Sequence, residues 1–266
     1  MILKRIVTGF AVAVLIGLLI WAGDPWFTIA ACIVSALATY EFYKIARHES
    51  IYPFTYPGII FSILFILQAH LSWPLACPAL ISLLILTPLI WILFKHDKDK
   101  AFINAGWTIM GVLYIGWFLS FYISMRNMLN GMGWVYLVIA CTAFSDVFAY
   151  AVGSKVGKHQ LASSISPGKT IEGAMGGMSA SIFFAFIVSM IFKLPLNWWQ
   201  IICVGFIIGI FAQLGDLTES LLKRNMKTKD AGNILPGHGG ILDRIDSHLL
   251  VAPVAYFLIL MVTNQS

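Results

Sequence analysis

The residues best suited to chemistry are acids. Asp146, Glu172, Asp216, Glu219, Asp230, Asp243 and Asp246, seven of the chain's 12 Asp and Glu, border two basic, glycine-containing stretches in its second half. The more telling stretch runs from Ser220 to Asp246. On a helix, Asp216, Ser220 and Lys223 are spaced i, i+4, i+7 and share one face. The helix must break at Pro236-Gly237-His238-Gly239-Gly240, a run that turns tightly and lets backbone N–H groups approach an anion. Asp243 and Asp246 follow at i, i+3. Two carboxylates so placed suit Mg²⁺, which takes oxygen ligands and usually only one or two protein carboxylates beside substrate phosphates. Asp216 and Asp146 are further ligand candidates. Lys223, Arg224, Lys229 and Arg244 surround these acids with phosphate-seeking charge. Basic residues alone would suggest a lipid-headgroup patch. Carboxylates alone would suggest a cation path. With a glycine-rich turn beside both, the pattern points to metal-assisted phosphate chemistry, in which the protein mainly positions groups and neutralises charge. Glu219 and Asp230 read equally well as surface charges, and His238 as a turn residue or a proton carrier.

The second stretch repeats the logic. Asp146 falls inside an otherwise apolar helix, where an acid is costly and usually functional. The loop from Gly153 to Thr170 offers Lys155, Lys158 and Lys169 with Ser163, Ser164 and Ser166. Pro167-Gly168-Lys169-Thr170 leads into a helix whose N-terminus attracts anions. It is not a Walker loop, because the GxxxxGK[ST] spacing is absent.

These residues resemble the phosphatidate cytidylyltransferases, or CDP-diacylglycerol synthases. The signature of that family reads S, an apolar pair, K-R, four residues, K-D, then P-x-H-G-G, an apolar pair and D-R-x-D. Ser220–Asp246 matches it at every fixed position, and Ser166-Pro167-x-Lys169-x-x-Glu172-Gly173 is similar to the family's second loop. The resemblance implies an all-α, membrane-embedded homodimer that makes CDP-diacylglycerol and pyrophosphate from CTP and phosphatidic acid. It implies Mg²⁺ as cofactor, with room for a second metal or a monovalent cation. Asp243, Asp246, Lys223, Arg244, Lys229 and His238 are then the expected catalytic residues. Asp243, Asp246, Asp216 and Asp146 are the expected metal ligands. Ser166, Lys169, Glu172, Ser220, Arg224, Asp230, Gly239, Gly240 and Lys155 are expected to bind substrate. Ser166 and Lys169 would meet either the nucleotide or the lipid phosphate; Glu172 would bind metal or orient Lys169. A polyprenol kinase would use the same nucleotide but transfer its γ-phosphate, and the full match at Ser220–Asp246 disfavours it. A transporter would show internal repeats, and none is visible.

The elements that must position these residues are set by composition. Of 266 residues, 59% are hydrophobic and 11% charged. Soluble domains sit near a quarter charged. A polytopic membrane protein of about nine transmembrane helices is therefore expected, and a nucleic-acid binder is not. The apolar stretches are Ile6–Ala22, Trp26–Tyr43, Tyr56–Leu71, Ala76–Phe94, Ala105–Met125, Trp134–Val152, Glu172–Phe192, Trp198–Leu222 and Ser247–Val262. With a cytoplasmic N-terminus, alternation puts 15 of the 17 Lys and Arg on the cytoplasmic side and only Arg126 and Lys193 opposite. That agrees with the retention of positive charge inside. The catalytic loops 153–170 and 223–246 then face the cytoplasm, and a bacterial inner (plasma) membrane is the expected location. The chain reads as one membrane domain, 1–266, with N-terminal helices to about residue 130 and a catalytic part over 131–266. Asp24, Glu41, Glu49, Asp97 and Asp99 read as interfacial charges, Glu41 just inside the end of its span. Cys32, Cys77, Cys141 and Cys203 are far apart, in no metal or disulfide pattern.

Overall fold

A chain crossing lipid must satisfy its backbone hydrogen bonds internally, and long apolar stretches do so as helices. The computed structural model of the protein describes residues 2–73, 75–94, 99–228, 231–232 and 239–263, with side chains at residue 9 and from residue 11 onward. The helices are α1 (Ile2–Ala22), α2 (Trp26–Ala46), α3 (Thr55–Leu71), α4 (Ala76–Leu93), α5 (Ala101–Gly111), α6 (Phe118–Arg126), α7 (Gly131–Val156), α8 (Ile171–Phe192), α9 (Trp198–Asn225) and α10 (Leu242–Thr263). A π-helical segment, Val112–Trp117, joins α5 to α6 in one continuous rod. Every expected apolar stretch falls on one of these rods.

Among the described residues, seven rods are long and apolar enough to cross a bilayer: α2, α4, the α5–α6 rod, and α7 to α10. Helix α3, with 17 residues, is shorter. It rises about 26 Å at 1.5 Å per residue, against a hydrocarbon core of roughly 30 Å. The described apolar part of α1, Ala11–Ala22, is shorter still.

The chain divides into two compact units. One comprises Met1–Ser124 with Asn225–Arg244, the other Met125–Arg224 with Ile245–Ser266. In the first unit, α2 packs against α3 and the π-helical segment. Tyr43 is fully buried there, and its hydroxyl donates to the Thr108 carbonyl at 2.8 Å. Gly58 and Gly111 make room for its ring: a Cβ at Gly111 would lie 2.4 Å from it. Phe65, Leu84 and Val112 form a core with Phe61, Leu80 and Trp117 around them. The Tyr52 N–H donates to Asn104 Oδ1 and the Phe54 N–H to Thr108 Oγ1, both at 2.8 Å. These bonds fasten the link between α2 and α3 to α5.

In the second unit, α7 and α8 form a tightly packed hairpin. Small residues allow close approach: a Cβ at Gly177 of α8 would meet the Ser145 carbonyl of α7 at 2.8 Å, and one at Gly205 of α9 would meet the Ile182 Cα of α8 at 2.6 Å. Polar groups then lock neighbouring helices, as expected where no hydrophobic force separates protein from lipid. Ser181 Oγ donates to the Gly205 carbonyl at 2.7 Å, and Gln213 Nε2 to the Ala174 carbonyl at 2.9 Å. Helices α9 and α10 meet backbone to backbone at Gly215, where a Cβ would lie 2.8 Å from the Asp246 carbonyl.

The stretch expected as a loop between α7 and α8 contains a hairpin. Strands β1 (Gln160–Ala162) and β2 (Ser166–Thr170) pair antiparallel, with Gln160 opposite Thr170 and Ala162 opposite Ser166. Its turn closes through the Ile165 N–H and the Ala162 carbonyl at 3.1 Å.

Candidate active site

The polar residues of the second unit are brought to its helices by the contacts just described. Because Gly215 lets α9 and α10 touch, Asp216 and Asp246, on adjoining positions, are drawn to the same level. Asp146, from α7, lies within electrostatic range of both, and of Lys169. Lys169 Nζ, carried in by β2, forms an ion pair with Asp216 Oδ2 at 2.8 Å. Ser220 Oγ makes a long contact of 3.5 Å with Asp216 Oδ1. Asp246 Oδ1 accepts the N–H of Ser247 at 2.8 Å. Asp146 and Asp216 thus lie beside Lys169, while Asp246 lies beside Asp216 and Lys223, in a mainly apolar unit. Among the described residues, no three His, Cys, Asp or Glu side chains close into a ready-made metal cage.

Lys223 is not an isolated cation. Its Nζ lies 2.5 Å from Glu219 Oε2, one turn back on α9, and Glu219 is fully buried. Glu219 is therefore an internal ion-pair partner, not a surface charge. Such a pair orients Lys223 and lessens its free positive charge. Arg224 Nε makes a long 3.5 Å contact with the Ile165 carbonyl of the β-hairpin turn.

Glu172 is committed to the loop. Its Oε2 accepts the N–H groups of Lys158 and His159 at 3.1 and 3.2 Å, and its Oε1 lies 2.6 Å from His159 Nδ1. Thr170 caps α8 by accepting the Gly173 N–H at 3.1 Å. Together they anchor the strand that carries Ser166 and Lys169. Ser166 is half-buried on β2, and Lys155 is exposed in the last turn of α7.

The first unit holds the glycine turn. Gly239 has φ +84°, a left-handed conformation that favours glycine. Asp243, in the first turn of α10, accepts the N–H of Gly240 at 2.8 Å, and its two oxygens accept that of Ala231 at 3.2 and 3.1 Å. This carboxylate therefore ties together both ends of the segment flanking the Pro-x-His-Gly-Gly run. Arg244 is exposed beside it, with its backbone N–H bonded to the Ile241 carbonyl at 3.0 Å. Lys229, Asp230 and His238 lie outside the described residues.

One residue of this turn's environment escapes sequence reasoning. Glu41, on α2, is buried, and its Oε2 accepts the N–H of Leu242, the first residue of α10, at 2.8 Å. Its position near a span end resembled an interfacial charge. The only signal in the sequence was its place just inside the apolar stretch.

Comparison with known proteins bears on this arrangement. Residues 3–262 match the Cytidylyltransferase family. The chain is 35% identical to the phosphatidate cytidylyltransferase of Bacillus subtilis over 270 residues, spanning 96% of this chain and 97% of that one. It is 42% identical to the enzyme of the same name from Staphylococcus haemolyticus, over 60% of this chain and 61% of that one. The Staphylococcus aureus (strain COL) protein of that name is 38% identical over a similar share. Matches of this extent leave one assignment: the chain belongs to the cytidylyltransferase family.

Proposed function

We infer that this chain transfers the cytidylyl group of CTP to phosphatidate. A phosphate oxygen of the lipid attacks the α-phosphorus of CTP. The bond from that phosphorus to the bridging oxygen breaks, pyrophosphate leaves, and CDP-diacylglycerol stays in the membrane. The observation that carries this reading is the set of Asp146, Asp216 and Asp246 gathered from three helices beside Lys169 and Lys223 in a family of cytidylyltransferases.

Both reactants are anions, so their repulsion is the main barrier. The attacking oxygen already bears charge at neutral pH, and no strong general base is needed. Catalysis therefore rests on neutralisation and positioning. Asp146, Asp216, Asp246 and Glu219 outnumber Lys169 and Lys223, which leaves uncompensated negative charge, and all the donor atoms of these acids are oxygens. That suits a hard divalent cation shared with substrate phosphates. Asp246, Asp216 and Asp146 are the residues that would hold Mg²⁺. Asp243, whose oxygens accept backbone N–H groups, serves the turn in this reading. When bound, the ion neutralises phosphate charge. Lys169 contributes a second cation at the same acids, Lys223 is held in place by Glu219, and Ser166 stands on the same strand as Lys169. Arg224 and Arg244 are exposed and supply phosphate-binding charge.

The N-terminus and the two loops face the cytoplasm of a bacterial plasma membrane, supported by the distribution of Lys and Arg. Assembly is as a homodimer, an expectation that rests on the family resemblance and is read by crosslinking in native membranes. The reaction itself is tested with CTP labelled in either the α- or the γ-phosphate, offered with phosphatidate and Mg²⁺ to the purified protein. The α-label should enter the lipid fraction and the γ-label should leave as pyrophosphate. γ-Label entering a lipid acceptor would make the chain a kinase instead.

A further inference from the structure

Glu41 stands apart from the signature residues, 201 positions before the residue it bonds. It is 1% exposed. An acid in an apolar helix is costly to bury unless its charge is used. Its surroundings show the use. Oε2 accepts the first N–H of α10 at 2.8 Å, one of the donors a helix start leaves without an internal partner and a place where negative charge is favoured. The backbone closes around the same carboxylate from two further sides. A Cβ at Gly232 would lie 2.2 Å from Glu41 Oε1, and a Cβ at Gly240 would lie 2.6 Å from Oε2. A Cβ at Gly240 would also come within 2.8 Å of the Gly232 nitrogen. Glycine at these positions lets the two backbone segments approach each other and the acid.

Glu41 and Asp243 thus divide the work at this turn. Asp243 accepts the N–H groups of Ala231 and Gly240 from within α10. Glu41 accepts that of Leu242 from α2. Three backbone N–H groups of the signature segment are fixed by two carboxylates, and one of these belongs to the N-terminal half of the chain.

We propose that Glu41 is a positioning residue for cytidylyl transfer, holding the Gly239–Gly240 turn and the start of α10 in their working conformation without touching substrate. The proposal rests on the cytidylyltransferase reading of the signature. It explains why an acid is buried at the end of α2. It also makes the first half of the chain a participant in the reaction and not only a membrane anchor.

The test compares Glu41→Met, which keeps the volume and removes the acceptor, with Glu41→Gln, which keeps an acceptor, and Glu41→Asp, which withdraws it by one methylene. Thermal midpoint in detergent, hydrogen exchange at the Leu242 and Gly240 amides, and kcat and KM for CTP are read for each. Expected for Glu41→Met is a midpoint near that of the wild type, faster exchange at Leu242, and kcat lowered by about 100-fold, as for other small misplacements. Glu41→Gln should restore both exchange and kcat, and Glu41→Asp should not. Wild-type kcat in Glu41→Met, or lowered kcat with unchanged exchange at Leu242, overturns the proposal. If Glu41→Met does not fold, equal kcat in the Gln and Asp variants overturns it. Should wild-type protein transfer no cytidylyl group, the function fails, while the exchange measurement still decides whether Glu41 holds the turn.

Discussion

The ion pair of Lys169 and Asp216 at 2.8 Å has two possible uses. A partly exposed pair contributes little to stability. Its value here is that each member holds the other where phosphate and metal would arrive. Residues acting as a unit are non-additive when removed. Lys169→Ala and Asp216→Asn should each lower kcat/KM by about 10- to 100-fold, and the double variant should be little worse than the poorer single one. Steady-state assays of all three decide this; costs that multiply would mean independent roles. Both residues were legible in the sequence, Asp216 by the helical face it shares with Ser220 and Lys223, and Lys169 by its place in a Pro-Gly-Lys-Thr run before a helix. Their pairing was not, since it depends on a β-hairpin returning to α9. Glu41 was hidden for a similar reason. Its partner lies at the far end of the chain, and no local pattern distinguishes an acid at a membrane interface from one under a turn. Glu172 and Glu219 had alternative readings that only their partners in the fold could separate.

At the scale of elements, the second unit depends on helices that approach more closely than ordinary side chains allow. Gly205→Val places new atoms on a Cβ only 2.6 Å from the Ile182 backbone, which cannot rotate away. Overpacking of this kind should destabilise by about 1–3 kcal/mol, seen as a lowered thermal midpoint in detergent with loss of activity. The cap of α8 is a smaller matter. Thr170→Ala loses its bond to the Gly173 N–H. The cost should be about 1 kcal/mol. The same variant should weaken activity more than stability, because Thr170 ends the strand that carries Lys169. Hydropathy located the seven rods that, among the described residues, are long and apolar enough to cross a bilayer, since such a stretch satisfies its backbone in lipid as a helix. It gave no sign of the π-helical segment Val112–Trp117, whose residues are as apolar as their neighbours. Nor did it show β1 and β2, which are too short for an alternating pattern and are set by their turn and by Glu172.

At the scale of the whole molecule, cytidylyl transfer from a cytoplasmic nucleotide requires that the basic loops lie on one side of the membrane. The proposed orientation rests on 15 of 17 Lys and Arg falling on that side in a nine-span reading. Helix α3 is short, so this alternation needs direct measurement. In a background with Cys32, Cys77, Cys141 and Cys203 replaced, Ser72→Cys should react with an impermeant maleimide in intact spheroplasts. Ser164→Cys should react only after lysis. The reverse pattern, or equal labelling of both, would contradict the assigned orientation.

The central claim is that this chain moves a cytidylyl group by charge neutralisation at Asp246 and its neighbours. The most direct measurement gives α-labelled CTP, phosphatidate and Mg²⁺ to purified wild-type and Asp246→Asn proteins in lipid micelles. Wild type should transfer label to the lipid and release pyrophosphate in equal amounts. Asp246→Asn should do so at least about 100-fold more slowly while keeping its thermal midpoint. Full transfer by Asp246→Asn, or no labelled lipid from a folded wild type, would contradict the account.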